Sequence, residues 1–226
     1  MSLYVCGDTH GGIDLHKLTT KMFPEGKALT KDDYVVICGD CGVVWDNSKS
    51  DFYLKDWFDD KPWTTLFVDG NHENHDALGD MPVEEWNGGK VHRVSDSILH
   101  LMRGQVFEID GRKLFTMGGA SSHDKIYRKE GISWWAKELP SDDEYQEAAI
   151  NLAKNDNCVD YIFTHCAPDR MQARISHWYE KDKLTNFLQV IDDTVEYKKW
   201  FFGHYHVDAE YDKKFNALYD DVVRVW

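Results

Sequence analysis

The sequence predicts an α/β protein in which two mixed β-sheets pack against each other with helices outside. Short β-rich apolar runs stop at Gly or His, helical segments lie between them, and one stretch switches to antiparallel hairpins. The runs are Leu3–Cys6, Tyr34–Cys38, Thr64–Val68, Tyr161–Thr164 and Lys199–Phe202. Continuous apolar runs of this length suit strands buried on both faces, as in a sheet covered by helices.

Between the runs, residues 14–23 and 52–58 read as helices. From 90 to 117 the pattern turns antiparallel: Asp110-Gly111 separates Gln105–Ile109 from Arg112–Met117, a strong signal for a two-residue hairpin turn. Residues 121–138 fit neither template and read as an ordered insertion. Ser141 followed by Glu144 forms a capping box that opens a helix to about residue 155. A second hairpin-like stretch, 207–226, closes the chain. No linker, repeat or low-complexity tract interrupts these elements. A length of 226 residues, against a typical domain of roughly 150, predicts one domain over 1–226, with 121–138 inserted on the substrate side.

Composition bounds the function. With 42% hydrophobic and 14% aromatic residues the chain has material for a sizeable core. Lys and Arg number 26 against 40 Asp and Glu, a net charge of −14. That argues against a surface tracking nucleic-acid phosphates, which needs a basic stripe to release counterions. No apolar run is long enough to cross a membrane as a helix, and the first residues lack the basic and apolar regions of a signal peptide. Five cysteines are an odd number, which does not suit a disulfide framework; Cys38 and Cys41 read as buried thiols. The expectation is a soluble, cytoplasmic globular protein.

The chemistry lies where His and Asp fall. Asp8 and His10 follow the first run in Gly7-Asp8-Thr9-His10-Gly11. Asp40 follows the second in Gly39-Asp40-Cys41-Gly42, and Asn71 and His72 the third in Gly70-Asn71-His72-Glu73. His165 follows the fourth, and His204 and His206 the fifth in Gly203-His204-Tyr205-His206. Ligands of α/β sheets gather beyond the carboxyl ends of strands, so these strand ends deliver oxygen and imidazole donors to one rim. Asp8, His10, Asp40, Asn71, His165, His204 and His206 are too many for one tetrahedral zinc but suit two adjacent cations sharing a carboxylate. His16, His75, His92, His100 and His177 match no motif and read as surface or structural.

These motifs, in this order, resemble the calcineurin-like metallophosphoesterase superfamily: Asp-x-His, Gly-Asp, Gly-Asn-His-Glu, a later His, then Gly-His-x-His. The resemblance spans Asp8 to His206 and implies a four-layer αββα sandwich with a dinuclear metal centre at the strand ends. It implies that Asp8, His10 and His206 hold one ion, that Asn71, His165 and His204 hold the other, and that Asp40 bridges. It further implies a bridging hydroxide as nucleophile and His72 as the acid that protonates the leaving oxygen. Mn, Fe, Zn and Ni all accept such an O/N donor set.

Protein phosphatases of the superfamily carry Gly-Asp-x-x-Asp-Arg-Gly at the second motif, where this chain reads Gly39-Asp40-Cys41-Gly42-Val43-Val44-Trp45. The phosphate-binding Arg is missing there. Arg128, with His123 beside it in the insertion, is the candidate replacement, and Trp134 and Trp135 are candidates to stack a ring or to fill core. The leading expectation is a hydrolase of small phosphomono- or phosphodiesters. A metal-binding interaction module without catalysis is the alternative from another class, though inactive members lose ligands or the motif His and none is lost here. A nuclease is disfavoured by the net charge of −14.

Overall fold

A computed structural model describes all residues, 1–226. The elements in chain order are β1 (Leu3–Cys6), β2 (Tyr34–Cys38), α1 (Lys49–Asp59), β3 (Thr64–Val68), α2 (His75–Gly79), β4 (Val83–Trp86), β5 (Gly89–Ser95), β6 (Ile98–Leu101), β7 (Gln105–Ile109), β8 (Arg112–Met117), α3 (Asp142–Lys154), β9 (Tyr161–Thr164), α4 (Asp169–Ile175), α5 (Lys183–Thr194), β10 (Lys199–Phe202), β11 (Ala209–Tyr211), β12 (Phe215–Ala217) and β13 (Val223–Arg224). The five apolar runs form strands with the expected bounds.

One sheet has the order β13-β1-β2-β3-β6-β5-β4 and the other β11-β12-β10-β9-β8-β7. Both are parallel at the centre and antiparallel at the edges. The antiparallel stretch of 90–117 therefore divides: β5 and β6 stay in the first sheet, while the hairpin β7–β8 opens the second. Its turn has Asp110 and Gly111 both at positive φ, 52° and 70°, as a right-twisted two-residue hairpin requires.

Alternation along each strand builds three apolar layers. Leu3, Val5, Val36, Leu66 and Val68 meet Phe107, Leu114, Phe163 and Phe201 between the sheets. Tyr4, Cys6, Ile37 and Phe67 face Leu54 and Phe58 of α1 on one outer side. Ile162, Trp200 and Phe202 face Ala148, Leu152, Leu184 and Leu188 of α3 and α5 on the other. The result is helix, sheet, sheet, helix. Fully burying a side chain such as Phe163 contributes about 1.5–3 kcal/mol. Ser141 and Glu144 form the expected capping box at α3, and Asp182 with Thr185 forms another at α5. No helix is long and apolar enough to cross a membrane. Burial pushes the Cys38 and Cys41 thiols well above the ordinary thiol range.

Two expectations require correction. Residues 14–23 form no α-helix, only a 3₁₀ turn at Leu15–Leu18. The Thr19 hydroxyl donates to the His16 carbonyl at 2.7 Å, competing with helix propagation, and the Lys17 side chain runs inward to the Asp8 carbonyl at 2.6 Å. The closing stretch 207–226 is a hairpin only in its first half. β11 and β12 pair antiparallel, but β12 also lies parallel to β10, and β13 crosses to the other sheet beside β1.

Candidate functional site

The loops after β1, β2, β3, β9 and β10 meet at one rim, and their backbone is strained there. His10, Asp40, His204 and His206 have φ of 44°, 49°, 69° and 51°. Left-handed backbone at a non-glycine residue costs on the order of 1–3 kcal/mol, persists only where the surroundings enforce it, and clusters at functional sites. The motif glycines make room for these turns. A Cβ at Gly70 would lie 2.0 Å from Asp40 Oδ1, and one at Gly203 would lie 2.1 Å from Asp8 Oδ1.

Asp8 and Asp40 are both buried. Asp8 Oδ1 accepts the His204 N–H at 3.0 Å, while Oδ2 lies 3.2 Å from His206 Nε2 and 3.8 Å from His10 Nε2. The donor atoms of Asp8, His10 and His206 all fall within 4.8 Å of one another, as do those of Asp8, Asp40 and His165. Asp40 Oδ1 accepts the His72 N–H at 2.7 Å. Its Oδ2 is 3.5 Å from His10 Nε2 and 3.5 Å from His165 Nε2, at the junction of the two groups.

Hydrogen bonds behind the rim aim the donors. His165 Nδ1 donates to the Cys38 carbonyl at 2.8 Å, turning Nε2 toward Asn71 Oδ1 at 3.1 Å. Asn71 Nδ2 donates to Ser122 Oγ at 3.1 Å, and Ser122 donates in turn to buried Glu138 at 2.6 Å. His10 Nδ1 lies 2.7 Å from the Asp14 carboxylate. The Glu73 carboxylate accepts the N–H of Cys41 at 2.7 Å and that of Gly42 at 3.2 Å, clamping the Asp40 loop. The His204 ring packs 4.9 Å from that of His165.

The electrostatics are those of a cation site. Burial pushes the Asp40 carboxyl up, but His165, His10 and His72 outweigh it and hold Asp40 well below the usual carboxylate range. Asp8 is also lowered, its burial offset by His165 and His206. Burial pulls His165 down, yet Asp40 and Asp8 dominate and lift it to about 10. Burial and the neighbouring His165 drive His204 down to about 3, keeping a neutral lone pair there. Neither Asp8 nor Asp40 forms an ion pair with a lysine or arginine; their charged partners are His10, His165 and His206. Two buried carboxylates among imidazoles, with no lysine or arginine paired to them, form groups that could hold metal.

His72, His123 and Arg128 line a cleft of about 200 Å³ above these donors, together with Asp40, Asn71, His204 and His206. The Arg128 guanidinium lies across the His72 ring, its terminal nitrogens 3.1 Å from Nδ1 and 3.0 Å from Nε2. Asp124 holds Arg128 Nε at 2.7 Å. His123 is exposed and its ring lies 5.9 Å from that of His204. The tryptophans stand elsewhere. Trp135 is buried, its ring set edge-on to Trp45 with centroids 5.3 Å apart, and its Nε1 donates to Asp76 at 3.0 Å, while Trp134 lies under Lys125. Trp135 packs back onto the body of the protein, while Trp134 keeps its contacts within the insertion.

A model of calcineurin-like phosphoesterases matches residues 1–208. The chain belongs to this family. A search of curated proteins finds no match. Membership accounts for the strand-end donors of this calcineurin-like phosphoesterase, but several residues behind them had escaped the sequence reading. Asp14 had a local signal, since it follows His10 by four residues across one tight turn. Asp124 also had one, standing four residues before Arg128, whereas Ser122 and Glu138 had none, because they reach the rim only through Asn71, far away in the chain.

A second cavity in this calcineurin-like phosphoesterase, of about 650 Å³, is lined by Asp69, His75, His92, His100 and Arg103 among others. Of the histidines expected to be surface or structural, His16 and His177 are exposed, and His75, His92 and His100 are buried near Asp69. Arg103 donates to Asp69 through Nε at 2.9 Å and through a terminal nitrogen at 2.5 Å. The charge there is balanced within the chain.

Proposed function

We propose that this protein hydrolyses small phosphate esters at a dinuclear metal centre. Asp8, His10 and His206 hold one divalent ion, Asn71, His165 and His204 hold the other, and Asp40 bridges. The observation that carries this reading is Asp40 Oδ2, equidistant at 3.5 Å from His10 Nε2 and His165 Nε2. The O/N donor set admits Mn, Fe, Zn or Ni. Bound there, such a pair supplies a Lewis acid for the phosphoryl oxygens and a water of lowered pKa as nucleophile.

The side chains do the rest. Arg128, held at Nε by Asp124, presents its terminal nitrogens to a phosphate oxygen, in place of the arginine missing from the second motif. His72 protonates the leaving oxygen. Burial depresses its pKa, Asp40 opposes this, and Arg128 adds to the depression. An anionic phosphoryl group drawn between Arg128 and His72 raises the imidazole's proton affinity when the acid is needed. His123 lines the outer wall beside His204. A cleft of about 200 Å³ lined by no hydrophobic residue favours a small phosphorylated substrate over a protein or a nucleic acid. We further propose that 1–226 is one domain, with 121–138 as the segment that selects substrate. Metal analysis of the purified protein, followed by assay on a panel of phosphomonoesters and phosphodiesters, tests the whole reading. Fewer than two ions per chain, or no turnover of any ester with the ions present, would overturn it.

A further inference from the structure

The family match ends at residue 208, yet the chain beyond it returns to the rim. β12 runs parallel to β10 with Ala217 opposite Phe202, so its carboxyl end opens where His204 and His206 stand. The Leu218 N–H continues the pairing, donating to the Phe202 carbonyl at 2.9 Å. The next ring, Tyr219, lies flat on the His206 imidazole, with centroids 4.5 Å apart and planes inclined by 13°.

Several contacts hold this tail in place. The Asp208 carboxylate accepts the N–H groups of Tyr219, Asp220 and Asp221 at 2.7, 3.0 and 3.0 Å. Lys17, only 1% exposed, donates to the Asp8 carbonyl at 2.6 Å and also to the Tyr219 carbonyl. Its ammonium lies 4.4 Å from the Tyr219 ring centroid. A Cβ at Gly7 would sit 2.0 Å from the Leu218 carbonyl oxygen, so the tail fills the space beside the residue that precedes Asp8.

Metal-bound imidazoles are normally aimed by an acceptor on the second ring nitrogen. His10 has Asp14 for this, and His165 has the Cys38 carbonyl. His206 is nearly half exposed, and the only side chain within ionic reach of its ring is Asp8. The flat contact with Tyr219 supplies the missing constraint.

We infer that Tyr219 is a positioning residue for the ion held by Asp8, His10 and His206, acting by stacking on His206. The inference rests on the dinuclear reading above. Apo protein is titrated with Mn²⁺ by calorimetry, with the exchange-coupled Mn²⁺ pair followed by electron paramagnetic resonance, in wild type, Tyr219→Leu and Tyr219→Phe. Tyr219→Leu keeps bulk but loses the π face. It is expected to weaken one ion by roughly 10–100-fold, to leave the other unchanged, and to lose the coupled signal. Tyr219→Phe keeps the ring and restores both ions, and the apo proteins unfold at the same temperature. Two ions bound equally well by wild type and Tyr219→Leu would overturn the clamp alone. Equal weakening of both ions with a lowered apo melting temperature would overturn it too, reducing Tyr219 to packing. A wild-type chain that takes up fewer than two ions sinks the dinuclear reading, and the clamp with it.

Discussion

Asp40 and Asp69 follow neighbouring parallel strands, each buried and within reach of imidazoles. At Asp69 the chain supplies its own counter-charge. Arg103 pairs with it in two contacts, and His100 Nε2 lies 3.2 Å away. At Asp40 and Asp8 the only positive partners are histidines. A buried carboxylate costs several kcal/mol unless it is compensated, so the first cluster is complete, and the second is the one whose groups could hold metal. The larger cavity, about 650 Å³, belongs to the balanced cluster, and the 200 Å³ cleft to the unbalanced one. Under the proposed function, unbalanced charge rather than volume marks the site.

The sharpest way to break this contrast is to neutralise one partner in each cluster. Asp40→Asn is expected to lose metal and to lower turnover by on the order of 10³-fold, because a neutral amide cannot bridge two cations. Arg103→Met is expected to keep both ions while costing about 3–5 kcal/mol of stability, since it strands Asp69. Metal content, turnover and urea unfolding of the two variants decide the matter. An Asp40→Asn protein with two ions and full activity would sink the assignment.

His72→Ala separates proton donation from metal binding. Both ions are expected to stay, and turnover to fall roughly 10²–10⁴-fold on esters with poor leaving groups, with a smaller loss on activated aryl esters. Equal losses on both substrate types would make His72 structural.

In the balanced cluster, His75 gives a pH signature. Burial carries it down to about 4; Asp69 and Glu138 oppose this, and Arg103 and His100 assist it. The unfolded chain takes up this proton near pH 6.5 and the folded chain only near 4, so stability falls as pH drops through that window and levels off below it. The shift corresponds to about 3 kcal/mol. The difference in stability between wild type and His75→Asn, followed by urea unfolding from pH 7 to 4, is expected to shrink by that amount. A difference that stays constant with pH would show that His75 ionises as freely in the folded protein as in the unfolded one.

The smallest expected effect belongs to Arg128→Ala, a rise in KM on the order of tenfold with metal content intact, the value of one charge-assisted hydrogen bond at a cleft mouth. Unchanged kinetics would leave Arg128 a structural partner of Asp124 and His72.

The strands and the loops that carry the site were legible because each is a local signal. Apolar runs such as Tyr34–Cys38 and Tyr161–Thr164 are buried on both faces whatever surrounds them, and Gly70 and Gly203 mark close approaches that only glycine permits. The segment 14–23 misled because Lys17 is drawn inward by carbonyls of Asp8 and Tyr219, which no periodicity encodes. His75, His92 and His100 carried no mark of burial, because Asp69, which His75 and His100 reach directly and His92 through His100, lies outside every motif.

What the sequence determined by itself, then, is which strands end in donor residues, and in which order, since strand, glycine turn and donor are contiguous in the chain. Tertiary structure decided what aims and balances them. Asp14 behind His10, Ser122 and Glu138 behind Asn71, Arg103 beside Asp69 and Tyr219 on His206 each depend on where distant segments come to lie. The reason is range: backbone preference and hydrophobic alternation act over a few residues, whereas a hydrogen bond or a ring contact exists only once packing has brought its two halves together.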